Sequence, residues 1–155
     1  PNMEYLLANA ERFQKSIGAE RVNEKIATAF DLQLTNMITG RDRQSGMEAI
    51  DKVEKEMEKY EFPSKSRLKL FVEIARVQKS GDVEKLLQVC EKNIPQIEHE
   101  HLLAMFFPLS LTIKRNGNED QQQRILKLAK TLLAETTNDK FKFSLGQFIP
   151  YALEK

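Results

Sequence analysis

Apolar residues recur along this chain at intervals of three and four, the spacing that lines one face of an α-helix. No stretch keeps the strict alternation of a half-buried strand. The pattern predicts eight helices. The first covers about Met3 to Ser16, with Leu6, Ala10, Phe13 and Ile17 on its buried stripe and Gly18 ending it. The second covers Glu20 to Ile38, where Val22, Ile26, Phe30, Leu34 and Met37 share a face, and a polar loop follows over Thr39 to Gly46.

The third helix, Met47 to Tyr60, turns Met47, Ile50, Val53, Met57 and Tyr60 inward and stops before Pro63. Ser64 or Ser66 can cap the fourth, whose stripe is Leu68, Phe71, Ile74 and Ala75. The turn Lys79-Ser80-Gly81-Asp82 leads into the fifth, with Asp82 as N-cap and Val83, Leu86, Leu87 and Cys90 running to Ile94. The sixth spans His99 to Arg115. After Asn116-Gly117-Asn118 the seventh runs from Glu119 to Glu135 on Ile125, Leu128, Ala129, Leu132 and Leu133. Asn138 or Asp139 caps the last, which buries Phe141, Leu145, Phe148, Ile149 and Ala152 and reaches Lys155.

Comparing the helices with one another changes the fold from a generic bundle to a stack. Ser45-Gly46, Ser80-Gly81 and Asn116-Gly117 occupy equivalent turns, their glycines 35 and 36 residues apart. Phe71 and Phe107 each precede a turn glycine by ten residues. Phe106-Phe107-Pro108-Leu109-Ser110-Leu111 is echoed by Phe148-Ile149-Pro150-Tyr151-Ala152-Leu153 after a spacing of 42. An antiparallel bundle with glycine in its connections shares some of these features. Period, turn chemistry and aromatic placement together predict an all-α, α-solenoid-like array of stacked antiparallel helical hairpins, forming a single domain over 1–155.

Length and composition fit that architecture. The 155 residues, 41% hydrophobic and 30% charged, suffice for one shared core. Leu102 to Leu111, the longest apolar run, is about half the span of a bilayer and contains Pro108, so no membrane segment is expected. One cysteine, Cys90, excludes an internal disulfide and fits a reducing, intracellular setting. Pro1 in place of an initiator Met suggests a piece of a longer protein, whose targeting segment would lie outside it.

The stretch Leu70-Phe71-Val72-Glu73-Ile74-Ala75-Arg76-Val77-Gln78-Lys79-Ser80-Gly81-Asp82-Val83-Glu84-Lys85-Leu86-Leu87 resembles a pentatricopeptide repeat, whose length matches the period, and it is also similar to a tetratricopeptide repeat. The likeness covers roughly residues 46–135. The first family implies RNA binding in an organelle, mitochondria above all, with one base read per repeat by a polar residue on the first helix. Here the equivalent positions are Phe71 and Phe107, which offer no hydrogen-bond code. The second family implies a protein or peptide ligand and a cytoplasmic setting, although Leu86 stands where that family places alanine.

Candidate chemistry is sparse. Glu98-His99-Glu100-His101 puts its histidines two apart, hence on different sides of a helix, and reads as a solvated helix start and not as a metal site. Cys90 lies on an apolar stripe and reads as a buried structural thiol. No phosphate loop, nucleophile elbow or paired-cysteine signature is present, so no catalytic residue, metal, cofactor or small-molecule substrate is expected. The net charge of +1 conceals a basic C-terminal third: residues 101–155 hold eight Lys or Arg against five Asp or Glu. Lys114, Arg115, Arg124, Lys127, Lys130, Lys140 and Lys142 carry that excess, and Arg124, Lys127 and Lys130 follow one another at intervals of three. Phe107, Lys114, Arg115, Arg124, Lys127 and Lys130 are therefore the candidate contacts for RNA or for a protein partner, each weighed against a solvated helix face. Phe106-Phe107-Pro108 reads chiefly as a kink that curves the stack, and secondarily as an aromatic platform.

Overall fold

The structure, a computed structural model, describes residues 3–40, 46–96 and 100–155, the side chains of residues 96 and 100–103 excepted. The described residues are helical nearly throughout and contain no strand. The fold is all-α. The expectation of a single domain over 1–155 meets a chain that divides into two compact units, Pro1–Lys79 and Ser80–Lys155.

The first unit holds α1 (Met3–Ala8), α2 (Ala10–Ile17), α3 (Ala19–Thr39), α4 (Met47–Glu58) and α5 (Lys65–Ser80), the last running one residue past the division. The single first helix expected over Met3 to Ser16 is divided at Asn9, whose side-chain amide donates to the Tyr5 carbonyl at 2.9 Å alongside its own backbone N–H. Both pieces lie along α3. The core is built on α3, where Val22, Ile26, Phe30 and Leu34 recur every four residues and are fully buried. Ile50, Val53 and Met57 of α4 and Leu68, Phe71 and Ile74 of α5 complete it. Ile17 and Met47, both expected inward, are exposed. They stand at the last position of α2 and the first of α4, where a helix end projects beyond the core it serves.

The second unit holds α6 (Val83–Asn93), a 3₁₀ turn at Ile94–Gln96, α7 (Glu100–Asn116), α8 (Glu119–Glu135), α9 (Asp139–Phe148) and a closing π turn at Ile149–Leu153. Asp82 caps α6 by accepting from the Lys85 N–H, and Asn138 caps α9 by accepting from Phe141. Asn118 and Gln121 cap α8 reciprocally, each side chain bonding the other's backbone at 2.9 Å. Proline shapes the two remaining departures. Pro95 falls within the 3₁₀ turn, and Pro150, which has no N–H, lies in the π turn where a helix to Lys155 was expected. Pro108 is accommodated inside α7, where its carbonyl accepts from the Thr112 hydroxyl at 3.0 Å.

The first residues before α4, α6 and α8, Gly46, Asp82 and Asn118, stand 36 residues apart at each step. The preceding glycines are not equivalent in conformation. Gly81 has φ +74°, a left-handed backbone suited to glycine, whereas Gly117 is excluded from change by space: a Cβ there would meet the Ile113 carbonyl oxygen at 2.6 Å. Within each unit, side chains about one such interval apart bind each other. Arg67 of α5 pairs with Asp31 of α3, 36 residues away, and Gln121 of α8 donates to Glu84 of α6, 37 away.

Candidate functional site

The candidate residues all lie in the second unit, and the structure sorts them by where their helices turn them. Arg124 points from α8 to α6. One terminal nitrogen bonds both oxygens of Glu84 at 2.8 and 3.0 Å, the other bonds Glu91, and Asp120 stands 3.7 Å away. These carboxylates raise the Arg124 pKa further above its ordinary value, Glu91 first and Glu84 second. The Glu84 carboxyl is held below its ordinary value, chiefly by the Gln121 amide and then by Arg124. Arg124 thus forms a clasp between α6 and α8. It does not share a surface with Lys127 and Lys130, although its spacing in the sequence placed the three together.

Lys127 and Lys130 are exposed on the outward face of α8, where with Gln123, Leu126 and Thr131 they line an open depression of about 440 Å³. Lys130 reaches Glu154 at 3.4 Å and so adjoins the closing turn. Among the described residues no carboxylate pairs with Lys127. Lys114 and Arg115 occupy the last turn of α7, where positive charge complements the helix dipole; Arg115 is exposed and Lys114 half-buried.

Phe107 is half-buried in an aromatic cluster. Its ring meets Phe148 at 5.0 Å and Phe141 at 5.6 Å, both edge to face, and Phe106 lies behind it at 6.3 Å. Phe71, its counterpart in the first unit, is completely buried. Neither ring can read a base edge from these positions. Cys90 is buried, and desolvation pushes its thiol pKa up to about 12. Glu98 and His99 lie outside the described residues, as do the side chains of Glu100 and His101. Among the described residues no three His, Cys, Asp or Glu side chains could hold a metal, and no helix is long and apolar enough to cross a membrane.

Sequence reasoning missed two rings. Phe143 is 71% exposed and Tyr151 is 74% exposed, on α9 and the closing turn. Phe143 was legible as a position two residues from the buried Phe141, hence on another side of the same helix. Tyr151 was not, because its place depends on the π turn. The Lys155 ammonium lies 4.8 Å from the Tyr151 ring centre.

Comparison of the chain with protein-family models, with curated proteins and with solved structures returned no match.

Proposed function

We propose that this chain is a non-enzymatic helical-repeat binding module that holds RNA on the outward surface of α8 and the turn that closes the chain. The observation that carries the reading is the pair Lys127 and Lys130, exposed beside a depression with a hydroxyl and an amide on its wall. Two ammonium groups one helical turn apart suit successive phosphates, whose counterions are released on binding. The interval of 36 residues between helix starts, and the bonds between side chains one interval apart, support a stacked-hairpin array of the pentatricopeptide kind. That family resemblance brings with it a mitochondrial setting.

The reading is tested by fluorescence anisotropy with a mixed-sequence single-stranded RNA at low and moderate salt. Submicromolar, salt-sensitive binding is expected, and the double variant Lys127→Glu, Lys130→Glu should weaken it more than tenfold while lowering the salt slope by about 0.7 for each phosphate no longer neutralised. Arg124 is left intact in this variant, since a carboxylate there would face Glu84 and Glu91 and open the clasp. Absence of binding at tens of micromolar removes the RNA reading.

A protein-binding scaffold of the tetratricopeptide kind is the second reading, favoured by one observation in the first unit. Leu32 is 58% exposed in a depression of about 510 Å³ along α3, beside Thr28 and Ala29. Such a partner would dock by apolar contact and would show weak salt dependence.

A further inference from the structure

Of the nine phenylalanines, Phe143 alone is fully turned to solvent, and Tyr151 is the most exposed of the three tyrosines. Two large rings left in water forgo the gain of burying them, so their position asks for an occupant. Their surroundings narrow its chemistry. Lys140, Phe143 and Gln147 recur at three and four positions along α9, and Tyr151 follows in the π turn that closes the chain. All four are exposed. Lys155 lies against Tyr151, and the Lys130–Glu154 bridge joins this strip to the lysines of α8. The Lys155 ammonium over one face of Tyr151 leaves the other face open.

We propose that Phe143 and Tyr151 form a stacking platform for unpaired bases, with Lys140 and Lys155 receiving the phosphates between them, so that the module selects single-stranded over double-stranded RNA. The inference rests on the RNA-binding reading above and specifies the form of its ligand. Eight residues, about two helical turns, separate Phe143 from Tyr151, room for separate bases and not for one base held between two rings. Stacking accepts any base, because every base has a π-face. A duplex keeps its bases stacked on one another and could use only the lysines.

The test compares a labelled oligouridine of about a dozen nucleotides with an RNA duplex of the same length. Phe143→Ala and Tyr151→Ala, both at exposed positions, should each weaken single-strand binding by about tenfold and leave duplex binding unchanged. Tyr151→Phe keeps the ring and should keep the affinity. Equal binding of single strand and duplex, or a Phe143→Ala, Tyr151→Ala double variant that binds oligouridine as the unmodified chain does, overturns the platform. If in that case Lys127→Glu, Lys130→Glu still abolishes binding, the α8 site stands and only the platform falls. If the unmodified chain binds neither RNA, both readings fall.

Discussion

The two units spend their aromatic residues differently. In the first, Phe30, Phe62 and Phe71 are buried, Phe30 lying 6.4 Å from Phe62 and 6.3 Å from Tyr60, and the exposed Tyr5 meets Phe13 edge to face at 5.9 Å. In the second, Phe106, Phe107, Phe141 and Phe148 meet edge to face, and two further rings are turned outward among lysines. The arginines are less divided: Arg76 of the first unit, held by Asp51 and Glu54, and Arg124 of the second, held by Glu84 and Glu91, both meet carboxylates that keep contact with water, while Arg67 meets the buried Asp31. Similar helix spacing can therefore leave rings inside the core or in solvent, depending on which positions of the helix hold them.

The largest effect expected from this comparison is on the cores. Phe30→Ala and Phe106→Ala each remove a fully buried ring and should cost about 3–5 kcal/mol. Hydrogen exchange should rise mainly within residues 1–79 for the first and within 80–155 for the second. A rise of equal size across both halves in either variant would show that the two units unfold as one.

A smaller contrast concerns the turn glycines. Gly81→Ala should cost about 1 kcal/mol because its backbone is left-handed, and Gly81→Asn should cost less, since asparagine tolerates that region. At Gly117 the obstacle is the Cβ itself, so Ala and Asn should be equally unfavourable, by about 1–3 kcal/mol. Urea denaturation of the four variants measures this. Near-equal losses for Ala and Asn at Gly81 would mean that left-handed geometry is not what its turn requires.

The smallest effect is electrostatic. Glu84 has a folded pKa below its ordinary value, so it contributes stability that is present above the ordinary carboxylate range and is lost as pH falls through the depressed value. Acid titration of stability should therefore show a component that Glu84→Gln removes. An unchanged acid limb in Glu84→Gln would detach the clasp from the stability of the second unit.

Much of this molecule was legible in its residues, and the reasons are local. Helices follow from apolar spacing, and the Asp82 and Asn138 caps follow from short polar side chains just before an amphipathic run. Ile17 and Met47 escaped because periodicity assigns a face without saying where along a helix the core ends. The candidate site was read less well. Arg124, Lys127 and Lys130 form a plausible row in sequence, yet each step of three advances about 300° around a helix, so the row drifts, and α6 lies close enough to take the first of them.

By itself, then, the sequence determined the helical class, the order of the elements, the caps and the basic tilt of the last third, since each depends on residues a few positions apart. Only the tertiary structure decided which cations remain in water. That depends on carboxylates 33 and 40 residues from Arg124, brought to it by packing of α6 on α8. It also decided that Phe107 closes a cluster while Phe143 and Tyr151 face outward, because burial is a property of what lies opposite a side chain and not of the side chain alone.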